Sequence, residues 1–168
     1  MLTNVKKELD KFRNAVVAEA KKELVKQGKK SSGDLYNSID SDLEVYKSNN
    51  FALSFTLGDY GEFVDKGVSG TKVKYKTPFK YTTKMPPPSK LDKWIVRKGL
   101  AKDSKGRFIK RKSLQFLIAR SIFRKGLKPS LFFTKPFNKH FKKVSKELVD
   151  SFGLDIDNFL QYTLNKYE

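Results

Sequence analysis

The sequence contains no cysteine. That excludes a disulfide framework, a thiolate nucleophile and a thiolate metal site, and it fits assembly in a reducing compartment. Histidine is nearly absent too. The single one, His140, sits in "NKHFKK" with no serine-centred motif and no spaced ligand set, so it reads as a solvated residue on the polar side of a helix. Long apolar runs are also missing. The N-terminal "MLTNVKKELDKFRNAVVAEAKKELVKQG" alternates charge with apolar residues where a signal peptide has a continuous apolar region, and no later stretch reaches membrane-spanning length. A soluble, non-secreted protein is expected.

Acidic residues are scarce in one region. From Lys66 to Lys128 there are 20 Lys and Arg against two acids, Asp92 and Asp103, while the remainder balances 16 basic with 16 acidic residues. All of the formal +18 charge therefore lies in one central block. Such a block repels itself and attracts polyanions, either nucleic acid or an acidic protein surface. The candidate contacts to a partner or to DNA are Lys72, Lys74, Lys76, Lys90, Lys93, Arg97, Lys98, Arg107, Lys110, Arg111 and Lys112. Tyr75, Phe79, Tyr81, Trp94 and Phe108 are interleaved with them, as rings that either stack on bases or belong to the core.

What remains is enough to fold. With 168 residues, 38% hydrophobic and 13% aromatic, the chain supports one domain with a real core. Leu2, Val5, Leu9, Phe12, Val16, Ala20 and Leu24 recur at three- and four-residue steps, which predicts an amphipathic helix ending near Gly28. Asp34 caps a short helical turn, "DLYNSI", that buries Leu35 and Ile39. "LEVYKSNNFALSFTLG" alternates on both sides of an Asn-Asn turn and predicts a hairpin. "YGEFVDKG" reads as a further strand. "TKVKYKTPFKYTT" reads as a lysine-lined strand, either a charge-protected sheet edge or a binding arm.

Pro86, Pro87 and Pro88 form a stiff strut after Met85. Ser89 is then placed as N-cap of a helix carrying Leu91, Trp94 and Ile95, stopped by Gly99. Ser113 caps "LQFLIARSIFRK", which Gly126 ends. "SLFFTKPF" reads as extended. Pro136 opens a long helix with Phe137, Phe141, Val144, Leu148 and Phe152 on one face, Gly153 breaks it, and a last helix from about Ile156 to Tyr167 docks on the body or on a neighbouring subunit.

Catalytic and metal sites are not expected. Asp40, Asp42 and Glu44 alternate as nuclease carboxylates can, and Asp103 with Lys105 superficially matches an acidic-x-Lys element, but both read as solvated surface. The glycines of "GDYGEFVDKGVSG" lack phosphate-loop spacing.

Taken in order, these segments resemble the tail-completion or neck proteins of bacteriophages, minor structural proteins that join head to tail. The matching pieces are "SSGDLYNSI" from Ser31, "FVDKGVSGT" from Phe63, and a "MPPxxxLxxWIxRKG" segment at Met85, Pro86, Pro87, Leu91, Trp94, Ile95, Arg97, Lys98 and Gly99. "LQFLIARSIFRKG" and "LKPSLFFTKPF" follow. The resemblance covers about residues 5–150 and departs in "GVSGT" and after Phe152. It implies an α+β fold, a small mostly antiparallel sheet packed with a long N-terminal helix and C-terminal helices. One domain with a basic insertion at about 70–112 is expected over residues 1–152, with 153–168 as a helical tail. It further implies no enzyme activity, no cofactor or metal, and a homo-oligomeric ring in the virion, assembled in the host cytoplasm. Partners would be other neck, portal-adaptor or tail proteins and packaged double-stranded DNA, with no membrane. Met85, Pro86, Pro87, Pro88, Trp94, Phe132, Phe133 and Phe137 would serve assembly and packing. A nucleic-acid-binding protein gripping phosphates through the basic block is the alternative.

Overall fold

A computed structural model describes residues 2–47, 50–100, 102 and 105–166. The fold is α+β. In chain order it contains α1 (Thr3–Lys26), α2 (Asp34–Ser38), β1 (Asp40–Val45), β2 (Phe51–Thr56), α3 (Gly61–Lys66), β3 (Val68–Ser69), a 3-10 turn (Pro88–Leu91), α4 (Asp92–Arg97), α5 (Arg111–Lys125), β4 (Gly126–Leu127) and α6 (Thr134–Lys166). The strands make two separate antiparallel pairs, β1 with β2 and β3 with β4. No described helix is long and apolar enough to cross a membrane.

The chain divides into two compact units. The first comprises Met1–Glu23, Ser38–Thr56 and Phe132–Glu168. Its core is Phe12, Val16 and Val144, with Leu53, Phe55, Phe133, Phe137 and Leu148 packed around it. The periodicity of α1 puts Phe12 and Val16 inward, and the period-two alternation of β2 turns Leu53 and Phe55 the same way. Phe12 meets Phe55 and Phe137 edge-on at centroid distances of 6.1 and 5.7 Å, a preferred arrangement of ring quadrupoles. β1 and β2 pair with Leu43 opposite Leu53. Asp40, Asp42 and Glu44 occupy the solvent side of β1, and among the described residues no group of three His, Asp or Glu is placed to hold a metal.

Two polar features of this unit were not foreseen. The carboxylate of Asp155, on α6, accepts the backbone N–H groups of Asn4 and Val5 at 3.0 Å and the Asn4 amide at 2.9 Å. It thereby satisfies N–H groups that the start of α1 leaves without intrahelical partners, and sets a negative charge at the positive end of that helix. His140 is not simply solvated. Its Nε2 lies 2.6 Å from Glu19, which also accepts from Lys139 at 2.8 Å. The hydrogen bond from Lys139 and then that from His140 hold the Glu19 carboxyl below its ordinary range.

The second unit comprises Leu24–Asn37 and Leu57–Leu131. Several local expectations are corrected here. "YGEFVDKG" is the helix α3, with Glu62 and Lys66 paired at 2.6 Å one turn apart. The lysine-rich segment 71–83 is no strand, because Pro78 lacks an N–H and the remaining backbone groups go elsewhere. Tyr75 N–H donates to Ser69 Oγ at 3.0 Å, and the segment's ladder pairing with β3 is confined to a single parallel bridge of Lys80 to Ser69, where Tyr81 N–H donates to Ser69 O at 2.8 Å. Ser89 lies inside the 3-10 turn and Ser113 inside the first turn of α5, so neither is a cap; α5 starts after Lys110. Asp34 is the first residue of α2 rather than its cap.

The C-terminal expectations also shift. "SLFFTKPF" is not extended: Leu131 takes a positive φ of 52° and the helix begins at Thr134. No break occurs at Gly153, and α6 runs unbroken through residues 134–166. A lone glycine costs a helix only about 1 kcal/mol, and Ser151 and Asp155 on either side of it are buried. Asn49, Asp103 and Tyr167, which carry parts of the expected turn, acidic-x-Lys pair and last helix, lie outside the described residues.

Candidate docking cleft

The second unit contains a cleft of ≈ 810 Å³. Four segments build it, each for a local reason. Gly28, at φ 63°, ends α1 by donating to Val25 O at 2.9 Å, and the chain turns through Lys29, Lys30 and Ser31 into α2. Leu35 of α2 is buried at the floor, with Tyr60 and Val64 beside it. From the far side come Pro86, the 3-10 turn and α4, contributing Lys90, Leu91, Lys93, Trp94, Arg97 and Lys98. Ile122, Leu127 and Lys128 close it, with Tyr81.

The proline strut explains the placement of α4. Pro88 opens the 3-10 turn, Lys90 N–H donates to Pro87 O at 3.1 Å, and α4 begins at the next residue, Asp92. Ile95 faces inward with 1% exposure, while Trp94 is 36% exposed on the cleft wall. Asp92 ties α4 to α5 by accepting from Gln115 at 2.6 Å and pairing with Arg111 at 3.5 Å. Gly99, at φ 65°, stops the helix, and Lys98 Nζ reaches Gly28 O at 3.2 Å.

Electrostatically the cleft is one-sided. Seven Lys or Arg line it, from Lys29 to Lys128, against one acid, Asp34. Lys30 Nζ lies 4.0 Å over the Tyr36 ring. Desolvation pushes the Lys29 ammonium below its ordinary pKa, and burial pushes the Tyr81 phenol up. The hydroxyl of Ser31 is enclosed and has no hydrogen-bond partner among the described residues. This combination of apolar floor and cationic rim fits an amphipathic, acidic segment.

Of the expected contact residues, Lys90, Lys93, Arg97 and Lys98 come together here. Lys72, Lys74, Lys76, Arg107, Lys110, Arg111 and Lys112 are exposed and do not line the cleft. Phe108 is 79% exposed, with Lys102 Nζ 5.1 Å from its ring. Pro86 and Trp94 line the cleft, Met85 and Pro88 are half-buried and Pro87 is exposed. Phe132, Phe133 and Phe137 belong to the first unit, where Phe132 is fully buried. Lys29, Lys30, Tyr36 and Lys128 were not singled out from the sequence; the aromatic and basic flanks of "KKSSGDLY" were the available signal. Compared with known protein families, with curated proteins and with solved structures, the chain matches none.

Proposed function

We propose that this chain is a non-enzymatic virion protein of the phage head-to-tail connector or tail-completion type, working as a ring of copies. One observation carries the reading. Four segments on which the resemblance rests, "SSGDLYNSI", "FVDKGVSGT", "MPPPSKLDKWIVRKG" and "LQFLIARSIFRKG", meet at the same cationic cleft, the second through Val64 and the last through Ile122. A self-repelling basic block is tolerable once copies dock on acidic neighbours or encircle DNA. The deciding experiment is quantitative mass spectrometry of density-purified particles of the phage that encodes the chain. A fixed, small ratio to the portal protein is expected, and absence from particles would overturn the reading.

A second reading has its own support. Lys72, Lys74, Lys76, Lys110 and Lys112 are exposed cations outside the cleft, as a phosphate-tracking surface requires. If six of the basic residues contact phosphates, duplex-DNA affinity should fall with salt at a log-log slope of about −5. A titration between low and physiological salt measures it, and undetectable or salt-insensitive binding would count against it.

A further inference from the structure

Two uncovered surfaces on this chain have opposite chemistry. Beyond Leu148, α6 exposes Val149 (71%), Phe152, Ile156, Phe159 (65%) and Leu160 on one side, at steps of three, four, three and one residue. Those steps make a helical stripe. Residues 147–165 hold four acids and no Lys or Arg, in a chain of net charge +18. Asp155 is committed to the start of α1, which leaves Asp150 and Asp157 exposed along one edge of the stripe. The cleft offers the converse, lined by Leu35, Val64, Leu91 and Trp94 with seven cations around them.

We propose that the acidic, apolar end of α6 from one copy lies in the cationic cleft of the next copy, anchored by Phe152, Ile156 and Phe159 and framed by Asp150 and Asp157 against Lys93 and Arg97. Every chain carries both halves of this contact. An amphipathic helix laid in an apolar groove uses side chains spaced as these are. Charge selects the pairing: two α6 ends side by side would oppose acid with acid, and two clefts would oppose cation with cation. A helix-to-cleft contact is heterologous, so it propagates from copy to copy and closes into a ring when the rotation allows. The inference deepens the ring reading and rests on it for closure.

Because the chain lacks cysteine, the test is direct. Full-length Asp157→Cys and Lys93→Cys chains, both altered at exposed positions, are mixed and treated with a short bis-maleimide. A covalent dimer of mixed composition is expected, at least tenfold more abundant than either homodimer, and Phe159→Glu in the Asp157→Cys chain should remove it. Asp157-to-Asp157 dimers would overturn the proposal in favour of a symmetric contact. A doubly substituted chain that closes on itself as a monomer would overturn it in favour of its own cleft. Sedimentation separates the remaining failures: oligomers without the mixed dimer sink the docking and spare the ring, whereas monomers at every concentration, without the mixed dimer, sink both. The virion reading stands or falls separately on the particle ratio.

Discussion

Replacing Gly126 by alanine is expected to destabilise the second unit by at least about 3 kcal/mol, from left-handed backbone strain and broken hydrogen bonds together. Gly126 sits at φ 75° and ψ −168°, a region that only glycine occupies readily. A Cβ there would stand 2.1 Å from Val68 O and 2.5 Å from Gly70 N, backbone atoms that cannot turn aside. The β3–β4 pair would have to separate. With it would go the bonds from Thr71 and Lys72 N–H to Phe123 and Arg124 O, both 2.9 Å. Gly153→Ala is the internal control, because nothing lies within 4 Å of its Cβ position and it sits inside α6. That substitution should stabilise by roughly 0.5–1 kcal/mol. Urea denaturation followed by circular dichroism reads both signs. Hydrogen exchange should show lost protection at Ser69, Thr71 and Tyr81 in Gly126→Ala. A Gly126→Ala protein as stable as the parent would refute the close approach of the two strands.

The same crossing shows why some of the fold was legible and some was not. Elements dictated by one strong period were readable: the spacing of Val5, Phe12 and Val16 in α1, the alternation of Leu53 and Phe55 in β2, the stop of α4 at Gly99 and of α5 at Gly126. Short elements set by tertiary partners were not. The segment around Glu62 and Val64 alternates weakly enough to pass for a strand, yet it is one helical turn and a half whose carbonyls at Val64 and Asp65 accept the N–H groups of Ser130 and Leu131. The lysine-rich stretch had the alternation of a strand, and Ser69 and Pro78 decided otherwise. Local propensity competes poorly with such long-range bonds.

The cleft was legible in parts but not as a whole. Trp94 with its neighbouring lysines stood out because a lone tryptophan beside three prolines is conspicuous. Lys29, Lys30 and Tyr36 did not, since nothing local in "KKSSGDLY" says that it faces α4 across the sequence; Lys98 reaching Gly28 O, seventy residues away, does. The charge was visible as a sum, and the fold is what divides it between a concave, apolar-floored surface and the outlying Lys72, Lys74 and Lys76.

Asp155→Ala is expected to cost the first unit about 2–3 kcal/mol at neutral pH, the scale of a charge-assisted helix cap whose donors are left without it. Nothing in the sequence around it, two residues past Gly153, marks this residue out. In the fold it is buried, and it accepts from Asn4 and Val5 across 150 residues of chain. Burial pushes its carboxyl up, but the backbone N–H bonds of Asn4 and Val5, the Asn4 amide and the Thr3 backbone outweigh that, so its pKa falls below the ordinary 3.8. The sign of the pH dependence follows. A depressed carboxylate contributes fully above the unfolded value and loses that contribution as pH falls through the lower folded one. The gap between parent and Asp155→Ala should therefore be constant from pH 7 to about 5 and shrink below 3.8. Asp155→Asn keeps an acceptor without the charge and should fall between the two, because a neutral acceptor makes the weaker bond. Equal midpoints for parent and Asp155→Ala at pH 7, or a gap that widens on acidification, would show that α1 does not depend on this carboxylate.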